Sequence, residues 1–381
     1  MSLVKDISFI KEELQTAKKN LTQRRIVKNS FFVDYLSEGE IIVEIESFAF
    51  TSNNVTYGVA GEMMGYWQFF PSTKDTENMW GCIPMWGFAK IKHSNNKELK
   101  TGERLFGYFP ASNILVMKPI KVSQKTFIDG QDHRKDLPPV YNNYIRLNNE
   151  DSYNKDNDNL RALLFPLHIT SFCLCDYLQY EDYLGAEQII IVSASSKTAI
   201  GLAQGLHREK GRPEVVGLTS KRNLDFVKDL NSYDHVITYD ELDNINIDSP
   251  AVMVDMAGNR EILGKLHSSL GNKMIKCITV GMTHWDNETT ADDTMGQLMN
   301  RKRTEFFFAP DHIQKRISDW GTERYNQKTS SFMDTRAEQS KSWMNIKEVS
   351  GLDNFLSTYD NVIQGDINPN EGIIVNIKSI P

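Results

Sequence analysis

The stretch Gln188-Ile-Ile-Ile-Val-Ser-Ala-Ser-Ser-Lys-Thr-Ala199 decides the fold. Its four consecutive aliphatic residues, Ile189 to Val192, are typical of a strand buried on both faces of a parallel sheet. A turn of small residues follows, and then a helical pattern from about Lys197. A strand, a small-residue turn and a helix in this order form the unit in which a helix N-terminus meets a dinucleotide pyrophosphate. The stretch therefore predicts a dinucleotide-binding sheet.

A second strand, Glu214-Val-Val-Gly-Leu218, indicates which dinucleotide is bound. In NAD-binding sheets an acidic residue at the end of this strand meets the adenosine ribose. Hydroxyl and basic residues stand here instead, and they suit charge-assisted bonds to a 2′-phosphate. We therefore expect NADP(H), and the missing acid disfavours a methyltransferase. The cofactor-binding candidates in the two segments are Ser193, Ser195, Ser196, Lys197, Thr198, Thr219, Ser220, Lys221, Arg222 and Asn223.

Other interpretations of both segments remain open. At glycine-like spacing the first turn has Ala194, Ser196 and Ala199, which lack the freedom of glycine at positive φ. A serine-rich turn also caps a helix without any ligand. In the second segment, Lys221 and Arg222 could be solvated residues in the first turn of a helix.

Composition sets the broad class of the protein. A chain of 381 residues exceeds the roughly 250–300 residues of a single core, so two domains are expected. The net charge of -7 comes from interspersed acids and bases, which argues against nucleic-acid and anionic-membrane partners. The N-terminus lacks a signal-peptide pattern, and the four cysteines lack a disulfide framework. We expect a cytoplasmic protein.

The pattern along the chain changes near its middle. Short β-rich runs fill residues 39–119, and the polar stretch 148–159 predicts an exposed loop. From Ile189 to Phe308 strands and helices alternate, which predicts a parallel sheet covered by helices. After about Arg336 a helical pattern precedes a last short strand, 372–377.

Several segments resemble the medium-chain dehydrogenase/reductase superfamily, and in particular its zinc-free quinone-reductase-like members. They are the early strand and loop from Gly39 to Asn53, the turn Lys100-Thr-Gly-Glu-Arg-Leu-Phe-Gly107, and the region from Leu352 to Ile374. Asn54-Val-Thr-Tyr57 and Val280-Gly-Met-Thr-His-Trp-Asp286 are more specifically similar to a divergent, uncharacterised domain family within that superfamily.

The resemblance implies a fold and an activity. The fold would be α/β, with a GroES-like β domain for substrate (1–160), a Rossmann doubly wound parallel-sheet domain (161–335), and a C-terminal segment that returns to the first domain (336–381). The activity would be hydride transfer between NADPH and a carbonyl or activated alkene, in the cleft between the domains. The end of the strand before Gly281 would lie near the nicotinamide, which adds Gly281, Thr283 and His284 to the cofactor candidates.

Tyrosine is the candidate proton donor, because hydride delivery leaves negative charge that a phenol can protonate or stabilise. Tyr57 follows the region that resembles the substrate-facing loop, and Asn53 could orient a substrate carbonyl. Tyr141 is an alternative donor. Packing of Tyr57 in the domain core and a turn role for Asn53 are equally open.

No metal is expected. Zinc-dependent relatives place a cysteine in the early loop, where this chain has Thr51-Ser-Asn-Asn54, and a Zn²⁺ site needs three or four ligands. We therefore expect a metal-independent NADPH-dependent reductase of a small molecule. A non-catalytic NADPH-binding sensor or interaction protein is the alternative, and a lyase or isomerase with retained cofactor is a third. The segment Arg303 to Phe308 could form the edge strand of the sheet, and edge-to-edge pairing of two copies would give a homodimer.

Overall fold

A computed structural model describes residues 8–33, 36–150, 153–207, 209–280 and 298–377. The chain forms two compact units, and the divisions fall after Leu163 and after Trp343. The first unit combines the N-terminal residues with the C-terminal segment, and the second comprises residues 164–343. The assignment of substrate binding to the first unit stays a prediction.

The elements within the described residues are as follows. The strands are β1 (Ser8–Ala17), β2 (Asn20–Phe32), β3 (Ile41–Phe50), β4 (Trp80–Gly81), β5 (Pro84–Ser94), β6 (Arg104–Pro110), β7 (Ile114–Met117), β8 (Pro119–Ile120), β9 (Thr126–Asp129), β10 (Asn143–Arg146), β11 (Gln188–Val192), β12 (Glu214–Thr219), β13 (His235–Thr238), β14 (Ala251–Asp255), β15 (Met274–Thr279), β16 (Thr304–Phe306), β17 (Asn345–Ser350) and β18 (Glu371–Asn376). The α-helices are α1 (Ser52–Val59), α2 (Asp158–Tyr180), α3 (Lys197–Leu206), α4 (Leu224–Asp229), α5 (Arg260–Leu270), α6 (Ala309–Trp320), α7 (Thr322–Ser340) and α8 (Gly351–Ile363).

The first unit is built mainly from two sheets. One follows the order β17-β18-β3-β5-β6-β10-β9-β8, with β7 also paired to β3, and the other has the order β2-β1-β4. The returning strand β18 pairs antiparallel with β3, and Ile374 lies opposite Ala49. The C-terminal segment therefore completes the main sheet of the first unit.

The second unit contains a parallel sheet with the order β13-β12-β11-β14-β15-β16. Ile189 and Ile191 pack into the core on one face of the sheet, whereas Ile190 and Val192 pack into the core on the other face. Burial on both faces explains the uninterrupted aliphatic run of β11. The predicted α/β fold with a doubly wound Rossmann sheet is confirmed.

The chain order of this sheet reverses at one place. From β11 the chain moves outward through β12 and β13, and it then returns to β14, on the other side of β11. Ligands of open α/β sheets bind outside the carboxyl ends of the strands at such a switch point. The serine-rich turn after β11 lies at this position.

The structure differs from the sequence-based expectations in several elements. The N-terminal residues form a long hairpin, β1 and β2, in a region for which no strand was predicted. Residues after Thr51 form helix α1 instead of a loop, because Thr51 and Asn54 cap its first turn reciprocally. Val349 belongs to strand β17 instead of a helix, and helices fill residues 309–340.

No helix within the described ranges combines the length and the apolar character that crossing a bilayer requires.

Candidate functional site

The carboxyl edge of the parallel sheet assembles the candidate cofactor site. Val192, at the end of β11, pairs in register with Leu218 of β12 on one side and with Asp255 of β14 on the other. The residues that follow these three strand ends therefore lie beside one another. The serine-rich turn and the segment after β12 were predicted to contribute to one site, and this edge brings them together.

The turn after β11 has an unusual backbone conformation. Ser193 has φ 65°, in the left-handed region that residues other than glycine rarely adopt. The Ser193 N–H donates to the Tyr239 hydroxyl over 3.1 Å, and the Tyr233 hydroxyl donates to the Ala194 carbonyl over 2.8 Å. Two tyrosines thus hold the turn in a conformation that glycine usually provides.

Helix α3 begins directly after this turn. Ser196 is its N-cap, and the Ser196 Oγ accepts a hydrogen bond from the Ala199 N–H at 3.3 Å. The Thr198 carbonyl accepts a bond from Ser171 Oγ at 2.8 Å, which fixes the first turn against α2. The first N–H groups of a helix lack partners within it and favour an anion, and Lys197 adds a positive side chain at this end. The arrangement fits a pyrophosphate.

The segment after β12 is tied to the same turn. The Asn223 side-chain amide donates to Ser195 Oγ over 3.0 Å. Lys221 and Arg222 are exposed, and a short 3₁₀ turn, Lys221–Asn223, precedes α4. Thr219 is 1% exposed, and its Oγ1 has no hydrogen-bond partner among the described residues. These residues can present cationic and hydroxyl groups to a phosphate.

A third strand end completes this edge. Asp255 is fully buried at the end of β14, and its carboxylate accepts hydrogen bonds from the backbone N–H groups of Ala257 and Gly258 at 3.0–3.1 Å. These bonds fold the chain into a tight turn beside Val192. Asp255 therefore shapes the backbone at the switch point.

The predicted proton donors lie in the first unit, in a dense cluster of aromatic rings. The Tyr57 ring centroid is 4.6 Å from that of Tyr66, 5.6 Å from that of Tyr108 and 6.3 Å from that of Tyr141. Trp86 lies 5.2 Å from Tyr108, measured between ring centroids. The structure therefore brings Tyr57 and Tyr141 together, with two further tyrosines between and around them.

The hydroxyl groups of this cluster are unequally bonded. Trp86 Nε1 donates to the Tyr57 hydroxyl over 3.4 Å, and the hydroxyls of Tyr66 and Tyr141 share a hydrogen bond of 3.1 Å. Tyr108 is fully buried beside them, and its hydroxyl interacts with that of Tyr57. Burial raises the pKa of Tyr57, and negative charge on Tyr66 would raise it further. Tyr57 consequently keeps its proton at neutral pH.

The structure describes some of the other predicted site residues but not all of them. Asn53 lies four residues before Tyr57 on α1, half-buried, and its backbone N–H bonds to Thr51 Oγ1 at 3.3 Å. Gly281, Thr283 and His284 lie outside the described residues. Ser220 begins the short turn before Asn223 without a side-chain capping bond.

Comparison with protein-family models decides the family. The model described as "Protein of unknown function (DUF2855)" matches residues 48–368. The chain belongs to the DUF2855 family. A search of curated proteins finds no match for it.

Solved structures similar to this DUF2855 protein cover nearly its whole length. CurA from Vibrio vulnificus in complex with NADPH is 13% identical, with 97% of this chain and 99% of that chain covered and a TM-score of 0.59. The quinone oxidoreductase from Coxiella burnetii is 12% identical, with coverages of 97% and 100% and a TM-score of 0.54. The CurK enoyl reductase is 11% identical, with coverages of 97% and 99% and a TM-score of 0.52. These similarities show that the chain shares the fold of these three structures, which agrees with the predicted α/β fold.

Sequence reasoning missed several residues that shape the candidate site of the DUF2855 protein. Tyr239 and Tyr233 contact the serine-rich turn from more than 30 residues away, and the sequence contains no signal for that contact. Asp255 could have been found, because Asp255-Met-Ala-Gly258 directly follows an aliphatic strand. Tyr66, which shares a hydrogen bond with Tyr141, was not predicted as a site residue.

In the described ranges, no three His, Cys, Asp or Glu side chains come close enough to hold a metal ion. The four cysteines are free and buried.

Proposed function

We propose that this DUF2855 protein is an NADPH-dependent oxidoreductase that reduces a carbonyl or an activated alkene of a small molecule without a metal. The observation that carries the proposal is the Asn223–Ser195 hydrogen bond, which joins the basic segment after β12 to the turn after β11. A 2′-phosphate and a pyrophosphate of one dinucleotide require the two segments to be adjacent. The CurA structure with bound NADPH, which shares the fold, supports the same cofactor.

The cofactor-binding roles follow from the local chemistry. The N–H groups at the start of α3 and the Ser195 and Ser196 hydroxyls would hold the pyrophosphate. Lys221 and Arg222, which are exposed, would pair with the 2′-phosphate, because an ammonium and a guanidinium both form charge-assisted bonds with phosphate oxygens. Bound NADPH would supply a hydride.

Tyr57 is proposed as the proton donor. Its raised pKa keeps the proton on Oη until the substrate gains negative charge. The Trp86 indole N–H donates to this oxygen, and the Tyr57 O–H would in turn donate to a substrate oxygen or carbanion. Asn53 would orient the substrate carbonyl, and Tyr141, bonded to Tyr66, is the alternative donor.

Deuterium transfer tests this function. Purified protein is incubated with 4-deuterated NADPH and, separately, a quinone, an enal and an enoyl thioester. We expect deuterium in one reduced product, analysed by mass spectrometry. If NADPH binds but no compound is reduced faster than in protein-free controls, the reductase proposal is wrong.

A second candidate is a non-catalytic NADPH-binding sensor or interaction protein. It is favoured by the burial of Tyr57, which is 5% exposed, and by the Tyr66–Tyr141 bond, which occupies the alternative donor. NADPH binding without turnover in the deuterium experiment is the outcome that this candidate predicts.

A further inference from the structure

The turn after β11 lacks the glycine that its backbone conformation usually requires. Ser193 has φ 65°, and a residue with a Cβ is strained in this left-handed region. The residues at glycine-like spacing are Ala194, Ser196 and Ala199, so the turn contains no glycine. Contacts from outside the turn must therefore stabilise the conformation of Ser193.

Tyr239 supplies one of these contacts. It directly follows β13, and its backbone N–H donates to the Thr219 carbonyl over 2.9 Å, which anchors it at the carboxyl end of β12. Its hydroxyl accepts a hydrogen bond from the Ser193 N–H at 3.1 Å. Burial raises the pKa of Tyr239 to about 12, so this hydroxyl stays neutral at physiological pH. The bond fixes the amide of the residue that has the left-handed conformation.

Tyr233 makes a second contact, with the next residue of the turn. Its hydroxyl donates to the Ala194 carbonyl over 2.8 Å. Gly217 of β12 makes room for the Tyr233 ring, because a Cβ at Gly217 would lie 2.7 Å from Tyr233 Cδ1 and 3.0 Å from the Ala194 Cβ. The glycine that permits close packing at this site is thus on the neighbouring strand instead of in the turn.

The Ser193 amide is separate from the proposed pyrophosphate contacts. Its N–H is bonded to Tyr239, whereas the N–H groups that begin α3 follow the N-cap, Ser196. Ser193 therefore affects the cofactor through the position of the turn. Without the Tyr239 hydroxyl, the strained φ of Ser193 relaxes in part of the free protein, and NADPH binds only the fraction that keeps the competent turn. The apparent affinity falls in proportion to that fraction.

We propose that Tyr239 is a positioning residue of the cofactor site, whose hydroxyl replaces the conformational freedom of a turn glycine and thereby sets the affinity for NADPH. This inference rests on the proposed binding of NADPH at this edge of the sheet. Tyr239 acts through Ser193. The substitution Ser193→Gly therefore makes the Tyr239 hydroxyl dispensable, because glycine adopts this φ without strain.

A double-mutant cycle on NADPH affinity tests the proposal. Fluorescence titration gives the Kd of the wild-type protein, Tyr239→Phe, Ser193→Gly and the variant with both substitutions. Tyr239→Phe keeps the ring and is expected to bind NADPH about fivefold more weakly, since a typical hydrogen bond contributes a factor of about that size. In the Ser193→Gly background, the same change should alter the affinity by less than about twofold.

Tyr359→Phe is the matched control. The Tyr359 hydroxyl donates to the Leu21 carbonyl over 3.0 Å in the first unit, so this variant also loses a buried hydrogen bond of a tyrosine. It should retain the wild-type affinity for NADPH. Circular dichroism without nucleotide verifies that each variant is folded.

Three results would overturn the proposal. Unchanged or tighter NADPH binding by Tyr239→Phe would show that the hydroxyl does not prepare the turn for the cofactor. An equal loss of affinity with and without Ser193→Gly would show that Tyr239 does not act through Ser193, as a general structural role predicts. Both of these results leave the proposed function standing. Absence of NADPH binding by the wild-type protein would contradict the proposed function itself, and the role of Tyr239 with it.

Discussion

The Asn223 amide donates a hydrogen bond to Ser195 Oγ over 3.0 Å, and this bond joins the ends of two neighbouring parallel strands. Ser195 is 8% exposed, so its hydroxyl is positioned by the protein more than by solvent. The bond fixes the distance between the proposed pyrophosphate and 2′-phosphate subsites.

Loss of this bond should weaken cofactor binding. Asn223→Ala is expected to lower NADPH affinity about fivefold to tenfold, because a typical hydrogen bond contributes about 1 kcal/mol. Asn246→Ala is the matched control, since Asn246 makes an equivalent 3.0 Å bond to Ser249 in the loop before β14. Equal NADPH affinities for the two variants, measured by fluorescence titration, would argue against the subsite assignment.

The left-handed backbone conformation of Ser193 should affect the free energy of unfolding of variants at this position. Ser193→Gly should unfold with a free energy about 1 kcal/mol higher than that of Ser193→Ala, because only glycine adopts a φ of 65° without strain. Both variants lack the hydroxyl, so their difference isolates the backbone. Urea unfolding measures it, and an alanine variant as stable as the glycine variant would show that the turn is unstrained.

The fold was largely predictable from the sequence, for identifiable reasons. Ile189 to Val192 is buried on both faces of a parallel strand, and such strands have the same apolar character along their whole length. The hairpin β1–β2 was not predictable, because polar and charged residues such as Arg24 and Lys28 interrupt its alternation. Strand β17 contains exposed lysine and glutamate, so its pairing with β18 determines its conformation.

The candidate site was predictable only in part. The segments around Ser195 and Lys221 have recognisable compositions, and the topology of the sheet brings them together. The Tyr239 contact with Ser193 depends on the geometry of β13, which no local pattern encodes. The grouping of Tyr57 with Tyr141 likewise depends on long-range packing, since the two residues are far apart in the chain.

Tyr57 should matter for chemistry but not for cofactor binding. Tyr57→Phe is expected to lower turnover about 10²-fold or more while NADPH affinity stays unchanged, because it removes only the proton donor. Tyr180→Phe removes the hydroxyl of a tyrosine on the second unit whose side chain is 60% exposed, and it should leave turnover near the wild-type rate. Turnover is measured with the compound that is reduced in the deuterium experiment. Similar losses of turnover in both variants would contradict the role of Tyr57.

His168 should contribute to a decrease in the free energy of unfolding at low pH. Burial, together with the positive charge of Arg336, lowers the pKa of His168 to about 3. The usual value is 6.5, so the unfolded chain binds one more proton than the folded protein between about pH 3 and 6.5. The free energy of unfolding should therefore fall as the pH decreases through this range, by up to about 1.4 kcal/mol per pH unit.

Urea unfolding at pH 7, 6, 5 and 4 measures this contribution of His168. His168→Phe should show a shallower decrease than the wild-type protein. His235→Asn should keep the wild-type slope, because the His235 side chain is 57% exposed. Parallel slopes for the wild-type protein and His168→Phe would show that His168 does not cause the acid sensitivity.

The central claim is selective binding of NADPH at the carboxyl edge of the parallel sheet. It is tested most directly by fluorescence titration of the wild-type protein, Lys221→Ala and Arg222→Ala with NADPH and NADH, with the exposed Lys228→Ala as control. We predict at least about tenfold tighter binding of NADPH than of NADH by the wild-type protein and Lys228→Ala, and loss of that preference in the other two variants. Equal affinity for both nucleotides, or no binding of either, would contradict the account.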